Sequence, residues 1–196
     1  MTYDAKRTDG TDHRLVLTFH GTGGTAAQFH GAAEAMLPGA HIVSPEGDVS
    51  ENGAQRFFRR KAEGVYDMDD LAQRTAAMAA FVEGEIARTG STHVTGIGYS
   101  NGANILASVA MVKPDLFDAL ALMHPLIPWV PEPQPGLAMT RVLITGGKQD
   151  PICPPELTEA LAAWFVAQKA DVTTAWHPGG HEIPQSEVGA LTEFLV

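Results

Sequence analysis

Short apolar runs alternate with amphipathic stretches along the chain, and this alternation is typical of a parallel β-sheet covered by helices. The compact apolar run Leu15–Phe19 predicts the first buried strand. Further strands are predicted at 41–44, 92–95, 117–123, 141–145 and 172–176, and helices at 25–37, 69–89, 103–111, 155–169 and 185–196. We therefore predict a single α/β domain over residues 1–196, with a mostly parallel central sheet of about six to seven strands and helices on both faces.

Three segments fall outside the alternation. Residues 1–14 are polar and predict a weak hairpin at the edge of the sheet. Residues 45–66 predict an irregular stretch that is too long to be a mere connection. Residues 124–140 form a proline-rich loop that is too short for a cap domain.

Composition narrows the classes of partner. The chain has 196 residues and a net charge of −10, which argues against nucleic acid or an anionic membrane as a partner, because both require a basic face. The N-terminal residues lack the apolar region of a signal peptide, and no apolar run approaches the length of a membrane span. One cysteine allows no internal disulfide, so we expect a reducing, cytoplasmic setting and no stable membrane association.

Two glycines flank a serine at the junction of a predicted strand and helix, in the pattern Gly98-x-Ser100-x-Gly102. Such a turn has no room for side chains at the glycines and holds the serine in a strained conformation with its hydroxyl exposed. The following helix places free N–H groups and its positive end beside that hydroxyl. The pattern predicts a nucleophilic serine, with a glycine-rich surface turn as the alternative.

A serine hydroxyl needs a base within hydrogen-bond reach, and three histidines follow Ser100 in the chain. His181 lies on a glycine-rich turn after the last strand, where its ring can reach the site, and it is the predicted base. His177 precedes a proline and is interpreted as a surface or packing residue. His124 ends a different strand and is the third candidate.

The predicted acid is Asp150, which follows the strand at 141–145 and precedes a proline that rigidifies its turn. The alternatives are an ordinary Asp-Pro turn at this position, with Glu156 as the next acid to consider. Three other aspartates lie before their strands or at the start of them and would be at the wrong edge of the sheet: Asp115, Asp118 and Asp171. The chain order serine, aspartate, histidine is the one expected for α/β-hydrolases.

Two backbone N–H groups are predicted to form an oxyanion hole: those of Asn101, directly after the serine, and of Thr22, in the glycine-rich loop after the first strand. That loop lacks the Lys-Ser/Thr pair of a phosphate-binding loop, and His20 within it is interpreted as structural. We expect no metal, because the chain has neither a His-Glu-x-x-His motif nor paired cysteines. Cys153 is expected to be a buried, inert thiol.

Four segments together resemble the phospholipase/carboxylesterase group of α/β-hydrolases: residues 20–24, 98–102, 148–152 and 180–181. Residues 56–60 and 63–71 are similar to the bacterial branch of hydroquinone- or dioxygenase-associated carboxylesterases. The resemblance implies an α/β-hydrolase fold, hydrolysis of carboxylic esters without a cofactor, a cytoplasmic location and a homodimer.

The sequence therefore predicts a serine carboxylesterase acting on small soluble esters or lysolipid-like molecules. Ser100 would attack the acyl carbon, His181 would move the proton and Asp150 would orient the imidazole. A thioesterase, lysophospholipase or amidase would use the same residues. A ligand-binding protein that has kept the hydrolase fold is the alternative from another class.

Predictions for the substrate-binding residues are less specific. Gly21 would let the backbone approach the substrate closely. Phe57, Phe58 and Trp129 would form apolar walls of the cleft, or else belong to the core. Arg59 and Arg60 would either pair with nearby acidic residues or turn one guanidinium inward to hold an anionic substrate.

Overall fold

A computed structural model describes residues 3–196 of the chain. Its strands are β1 (Ala5–Thr8), β2 (Arg14–Phe19), β3 (His41–Pro45), β4 (Val49–Glu51), β5 (Ala54–Arg56), β6 (Arg60–Ala62), β7 (Val65–Tyr66), β8 (His93–Tyr99), β9 (Ala119–Met123), β10 (Arg141–Gly147) and β11 (Asp171–His177). Its helices are α1 (His30–Met36), α2 (Met68–Thr89), α3 (Asn101–Val112), α4 (Pro155–Ala167) and α5 (Gln185–Leu195). None of the described helices is long and apolar enough to cross a membrane.

Seven strands form the central sheet in the order β1-β3-β2-β8-β9-β10-β11. Six of them run parallel, and β1 at the edge pairs antiparallel with β3. The carboxyl ends of β2, β8, β9, β10 and β11 consequently meet along one edge, where the connecting loops build a site in folds of this kind. The predicted α/β architecture is confirmed.

Helices cover both faces of the sheet. The inner strand β9 is apolar throughout because both of its faces are covered. Leu120 and Leu122 pack with α2, α3 and α4, whereas Ala119 and Ala121 pack with α1 and α5 on the other face. Successive side chains of a strand point to opposite faces, so every side chain of a strand that is covered on both sides is buried, which favours apolar residues.

The longest helix shows how local signals set its ends. Asp67 caps α2, because its side chain accepts a hydrogen bond from the N–H of Asp70. Gly90 ends the helix in the left-handed conformation at φ 66°. The predicted helix over 69–89 is thereby confirmed to within one residue.

Three local predictions were wrong. Residues 3–14 contain no hairpin; β1 instead joins the main sheet by pairing with β3. Helix α1 begins at His30 rather than at residue 25, because residues 26–29 form a turn. The stretch 45–66 is not irregular: it holds two small antiparallel pairs, β4–β5 and β6–β7.

Candidate active site

The turn between β8 and α3 presents Ser100 at the C-terminal edge of the sheet. Ser100 has φ 52° and ψ −118°, a backbone conformation that is strained for a residue with a side chain. A Cβ at Gly98 would lie 2.6 Å from the carbonyl oxygen of Gly102, and one at Gly102 would lie 2.3 Å from that of Phe19. The two glycines are therefore required by the close approach of backbone segments around the serine.

Replacing Gly102 with alanine is expected to destabilise the fold by about 3 kcal/mol or more, because the new Cβ would meet backbone atoms that cannot move aside. Gly84→Ala is the matched control, since Gly84 is exposed on α2 and a Cβ added there would meet no atom within 4 Å. That control should raise stability by about 0.5–1 kcal/mol. Chemical unfolding of both variants measures the effect, and equal midpoints would contradict it.

Three side chains from separate loops form a hydrogen-bonded chain. His181 Nε2 lies 2.9 Å from Ser100 Oγ, and His181 Nδ1 lies 2.7 Å from Asp150 Oδ2. Ser100 and His181 are partly exposed, whereas Asp150 is buried. The structure thus brings together the three residues that the sequence singles out, in the arrangement of a nucleophile, a base and an orienting acid.

The carboxylate of Asp150 is held from both sides. Its Oδ1 accepts hydrogen bonds from the N–H groups of Ile152 at 2.8 Å and Cys153 at 2.9 Å, while Oδ2 faces His181. Burial acts to raise the pKa of Asp150, but the hydrogen bonds from Cys153, the histidines and Ile152 outweigh burial and lower it. Asp150 is therefore ionised at neutral pH.

His124 is a further contact of the acid that the sequence argument did not assign. It follows β9 at the same sheet edge, is fully buried, and has a φ of 50°. Its Nδ1 lies 2.7 Å from Asp150 Oδ2, and its Nε2 lies 3.1 Å from Glu187 Oε2. His177 is also buried rather than on the surface, with its Nε2 3.4 Å from His124 Nε2.

Glu187, in the first turn of α5, was missed by sequence reasoning. Its side chain is only 2% exposed, and the Thr145 hydroxyl donates a hydrogen bond to its Oε1. A lone glutamate near the start of a helix gives no signal for burial, because such residues usually remain in solvent at the positive helix end.

The glycine-rich loop after β2 leaves one N–H group free. The N–H groups of Gly21, Gly23 and Gly24 donate to Gln28 Oε1, Gln55 O and Gly21 O respectively. Within residues 3–196, that of Thr22 has no acceptor. The N–H of Asn101 stands at the start of α3, where a helix has no intrahelical partner to offer it.

His20 supports this loop, as expected. Its Nδ1 bonds to the carbonyl of Gly21 at 2.7 Å, and its Nε2 accepts from the N–H of Gly47 at 2.9 Å. Burial lowers the pKa of His20, which keeps the ring neutral and able to make both bonds.

A cleft of about 270 Å³ opens over the serine. Its lining combines the loops at the sheet edge with the two small hairpins: Thr22, Arg56, Arg60, Glu63, Tyr66, Tyr99, Ser100, Asn101, Asn104, Leu126, Ile152, Cys153 and His181. Arg56 is buried and donates to Thr22 Oγ1 at 2.8 Å, so it fixes the loop that carries the free N–H group. Sequence reasoning passed over Arg56 in favour of the adjacent arginines.

Most of the predicted substrate contacts lie elsewhere. Phe57 and Phe58 are fully buried in the core, where Phe57 packs edge-on against Phe19 and Phe58 against Tyr66. Trp129 packs edge-on against Tyr66 and lines a separate groove beside α2. Gly21 lies beneath the ring of Tyr99, where a Cβ would fall 2.7 Å from that ring.

The two neighbouring arginines face different ways. Arg59 is exposed and lies 3.5 Å from Asp67 and 3.3 Å from Asp70, outside the cleft. Arg60 lines the cleft and pairs with Glu51 at 3.0 Å and with Glu63. The prediction that Arg59 contacts the substrate is therefore not supported by its position.

Cys153 is buried at the base of the cleft, and its thiol donates to the carbonyl of His124 at 3.1 Å. Burial is the main cause that raises the pKa of this thiol, and the negative charges of Asp150 and Glu63 raise it further. Since the thiolate is the reactive form, Cys153 is a poor nucleophile here.

Comparison with known proteins finds relatives over nearly the whole chain. A family model described as "Serine hydrolase (FSH1)" matches residues 26–190. The Bacillus subtilis (strain 168) protein named "Putative hydrolase MhqD" is 36% identical over 188 residues, covering 94% of each chain.

Two solved structures extend the match. Atu2452 of Agrobacterium tumefaciens str. C58, a protein of unknown function, is 50% identical, with a TM-score of 0.93 over 98% of this chain and 95% of that one. A Bacillus cereus carboxylesterase is 34% identical, with a TM-score of 0.92 over 98% of this chain and 92% of that one.

Proposed function

The chain belongs to the FSH1 serine hydrolase family of the α/β-hydrolase fold, and on that premise we propose that it hydrolyses small carboxylic esters through an acyl-enzyme on Ser100. The observation that carries the proposal is the continuous chain from Ser100 Oγ through His181 to Asp150, with contacts of 2.9 and 2.7 Å. The carboxylesterase from Bacillus cereus, which shares the fold over nearly the whole chain, supports the same reaction class.

The reaction would proceed in two halves. Ser100 Oγ attacks the acyl carbon while His181 Nε2 accepts its proton, and Asp150 holds the Nδ1–H tautomer and stabilises the imidazolium. The N–H groups of Thr22 and Asn101 bind the negative oxygen of the tetrahedral intermediate. His181 then donates the proton to the leaving alcohol, and water releases the acid from Ser100 by the same route.

A fluorophosphonate probe tests the proposal directly. We expect stoichiometric labelling of Ser100, and none in the Ser100→Ala variant. Failure of the folded wild-type protein to label would favour a ligand-binding protein on the hydrolase fold. A panel of matched oxygen esters, thioesters and amides then separates the carboxylesterase from a thioesterase or an amidase.

The size of the cleft bears on the substrate. At about 270 Å³, it is slightly smaller than the usual range for small-molecule pockets, which favours short acyl groups over the long chains of lysophospholipids. Turnover on a series of esters of increasing acyl length should therefore fall as the chain outgrows the cleft.

Replacing Arg60 tests whether the cleft prefers anionic esters over neutral ones. Replacing it with glutamine is expected to raise KM for an ester bearing a carboxylate about tenfold, while a neutral ester of the same size is nearly unaffected. Arg60 is already paired with Glu51 and Glu63, which limits the effect.

Arg59→Gln is the matched control, because Arg59 is the adjacent residue but its side chain is 59% exposed and points away from the cleft. It should change neither KM. Equal effects of Arg60→Gln on both esters would show that Arg60 serves the fold of the hairpins rather than the selection of substrates.

A further inference from the structure

Two imidazole rings approach the same carboxylate oxygen behind the candidate nucleophile. Both His181 Nδ1 and His124 Nδ1 lie 2.7 Å from Asp150 Oδ2. The hydrogen-bonded chain of Ser100, His181 and Asp150 accounts for the first ring only. His124 does not reach Ser100, so its place in the site requires a separate explanation.

His124 has a second carboxylate on its other side. Its Nε2 lies 3.1 Å from Glu187 Oε2, and the side chains of His124, Asp150 and Glu187 are all at most 2% exposed. Each ring nitrogen of His124 therefore faces an acceptor in a place that water hardly reaches.

The hydrogen bonds determine where the protons are. A neutral imidazole has one N–H, so a neutral His124 between two carboxylates would press a lone pair against a negative oxygen. A protonated ring donates to both. Glu187 Oε1 already accepts from Thr145, and its Oε2 is free to accept from His124.

The neighbouring His177 does not change the number of protons assigned to His124. Gly179 donates its N–H to His177 Nδ1 at 3.2 Å, which leaves the proton of that ring on Nε2. This N–H lies 3.4 Å from His124 Nε2 and 3.7 Å from Glu187 Oε2. A neutral His124 that accepted it would still turn its lone pair toward Glu187 Oε2 at 3.1 Å, whereas a protonated His124 and His177 both donate toward that oxygen. His124, His177 and Glu187 are spaced like metal ligands, but a metal would need the lone pair of His177 Nε2, where the backbone contact places the proton.

We propose that His124 is a buried imidazolium, clamped between Asp150 and Glu187, and that it acts as a positioning residue for the acid of the site. The positioning role of His124 rests on the esterase mechanism proposed above. The protonation state of His124 does not depend on that mechanism. In this arrangement Asp150 receives four hydrogen bonds and can neither rotate nor take a proton from His181.

The neighbourhood of His124 favours its charged form. Burial disfavours the cation, but the hydrogen bonds and charges of Glu187 and Asp150 outweigh burial and raise the pKa of His124 above its ordinary value. The titratable groups that face His124 from the surrounding segments are Tyr99, Asp150, Cys153, His177, His181 and Glu187.

The cation also acts on the base. The rings of His124 and His181 are 5.0 Å apart, so a positive charge on His124 contributes a positive electrostatic potential at the base of the site. Glu187 lies on the far side of His124 and offsets only part of this effect.

Nitrogen NMR of selectively histidine-labelled protein tests the protonation state without any substrate. We expect both ring nitrogens of His124 to carry protons at neutral pH, because each faces a carboxylate oxygen. A ring with one bare nitrogen at neutral pH would overturn the proposal even if Ser100 labels fully. Signals that change on adding a chelator would overturn it in favour of a metal site.

Glu187→Gln removes the counter-charge with little change of shape. A glutamine amide can donate to His124 Nε2, so His124 can become neutral and still donate Nδ1–H to Asp150. We expect a bare Nε2 in the NMR spectrum of this variant. The acidic limb of its kcat/KM profile should shift upward by about half a pH unit to one unit.

Glu193→Gln is the control, because Glu193 is exposed on the same helix and the charge change is identical. Its profile should match that of the wild type. An unshifted acidic limb in Glu187→Gln would overturn the positioning role. If Ser100 fails to react with the fluorophosphonate, the esterase mechanism falls, while the NMR result for His124 stands on its own.

Discussion

Replacing either Ser100 or His181 with alanine is expected to lower turnover of an activated ester by roughly 10⁴–10⁶. Each change removes one end of the 2.9 Å contact between Ser100 Oγ and His181 Nε2. Without the base the hydroxyl keeps its proton, and without the hydroxyl there is no nucleophile to activate. The double variant should be little slower than either single one, because the two groups act as a unit.

Steady-state kinetics on the purified variants, with circular dichroism to check their folding, measures this effect. His93→Ala is the control: His93 opens β8, the strand that leads to Ser100, but lies at the opposite edge of the sheet. It should retain nearly full activity. A folded His181→Ala variant with more than a tenth of wild-type turnover would show that another residue is the base.

Replacing Asp150 with asparagine is expected to cost about 10⁴ in turnover at neutral pH. The carboxylate accepts hydrogen bonds on both oxygens: Oδ1 from Ile152 and Cys153, and Oδ2 from His124 and His181. An amide can accept on one side only. Its NH₂ group would face two ring nitrogens and would force His181 into the tautomer that carries its proton toward Ser100.

The measurement is kcat/KM across the neutral range, alongside Asp171→Asn as the control. Asp171 is exposed at the start of β11, far from the strand ends that carry the site. More than a tenth of wild-type activity in a folded Asp150→Asn variant would contradict the assignment. Glu156, the alternative acid from the sequence, is exposed on α4 and would then be tested next.

Local sequence signals account for the parts of the molecule that could be predicted. The glycines around Ser100 are dictated by backbone contacts close to the turn, and the rule that parallel strands end at one edge placed Asp150 and His181 beside it. Each inference needed only the neighbouring residues and the direction of the strand.

The hairpin β4–β5 carried a signal that the sequence argument did not use. Asn52-Gly53 forms its turn, with φ values of 52° and 88°. An Asn-Gly pair is the preferred sequence for a two-residue hairpin turn, because both positions need positive φ. The strands around it are so short that the periodicity argument passed over them.

Other features depend on contacts between distant segments and have no local signal. The pairing of β1 with β3 joins residues far apart in the chain, and Arg56 reaches the site only because β5 folds over Thr22. The burial of Glu187 depends likewise on β9 and β10 supplying His124 and Thr145. Secondary-structure propensity and residue spacing do not predict such contacts between distant segments.

The two small hairpins have a consequence for how this scaffold could acquire new substrates. They supply Arg56, Arg60, Glu63 and Tyr66 to the cleft wall, whereas the three reacting side chains come from loops after residue 99. Evolution or a protein engineer can therefore exchange residues 60–65 as a cassette, whereas Tyr66 must stay, because it is buried in the core and its hydroxyl bonds to Leu126 O and Asn104 Nδ2. The boundary of that cassette lies after Phe57 and Phe58, because the N–H of Phe57 donates to Asn101 Oδ1 at 2.7 Å and ties the wall to the start of α3.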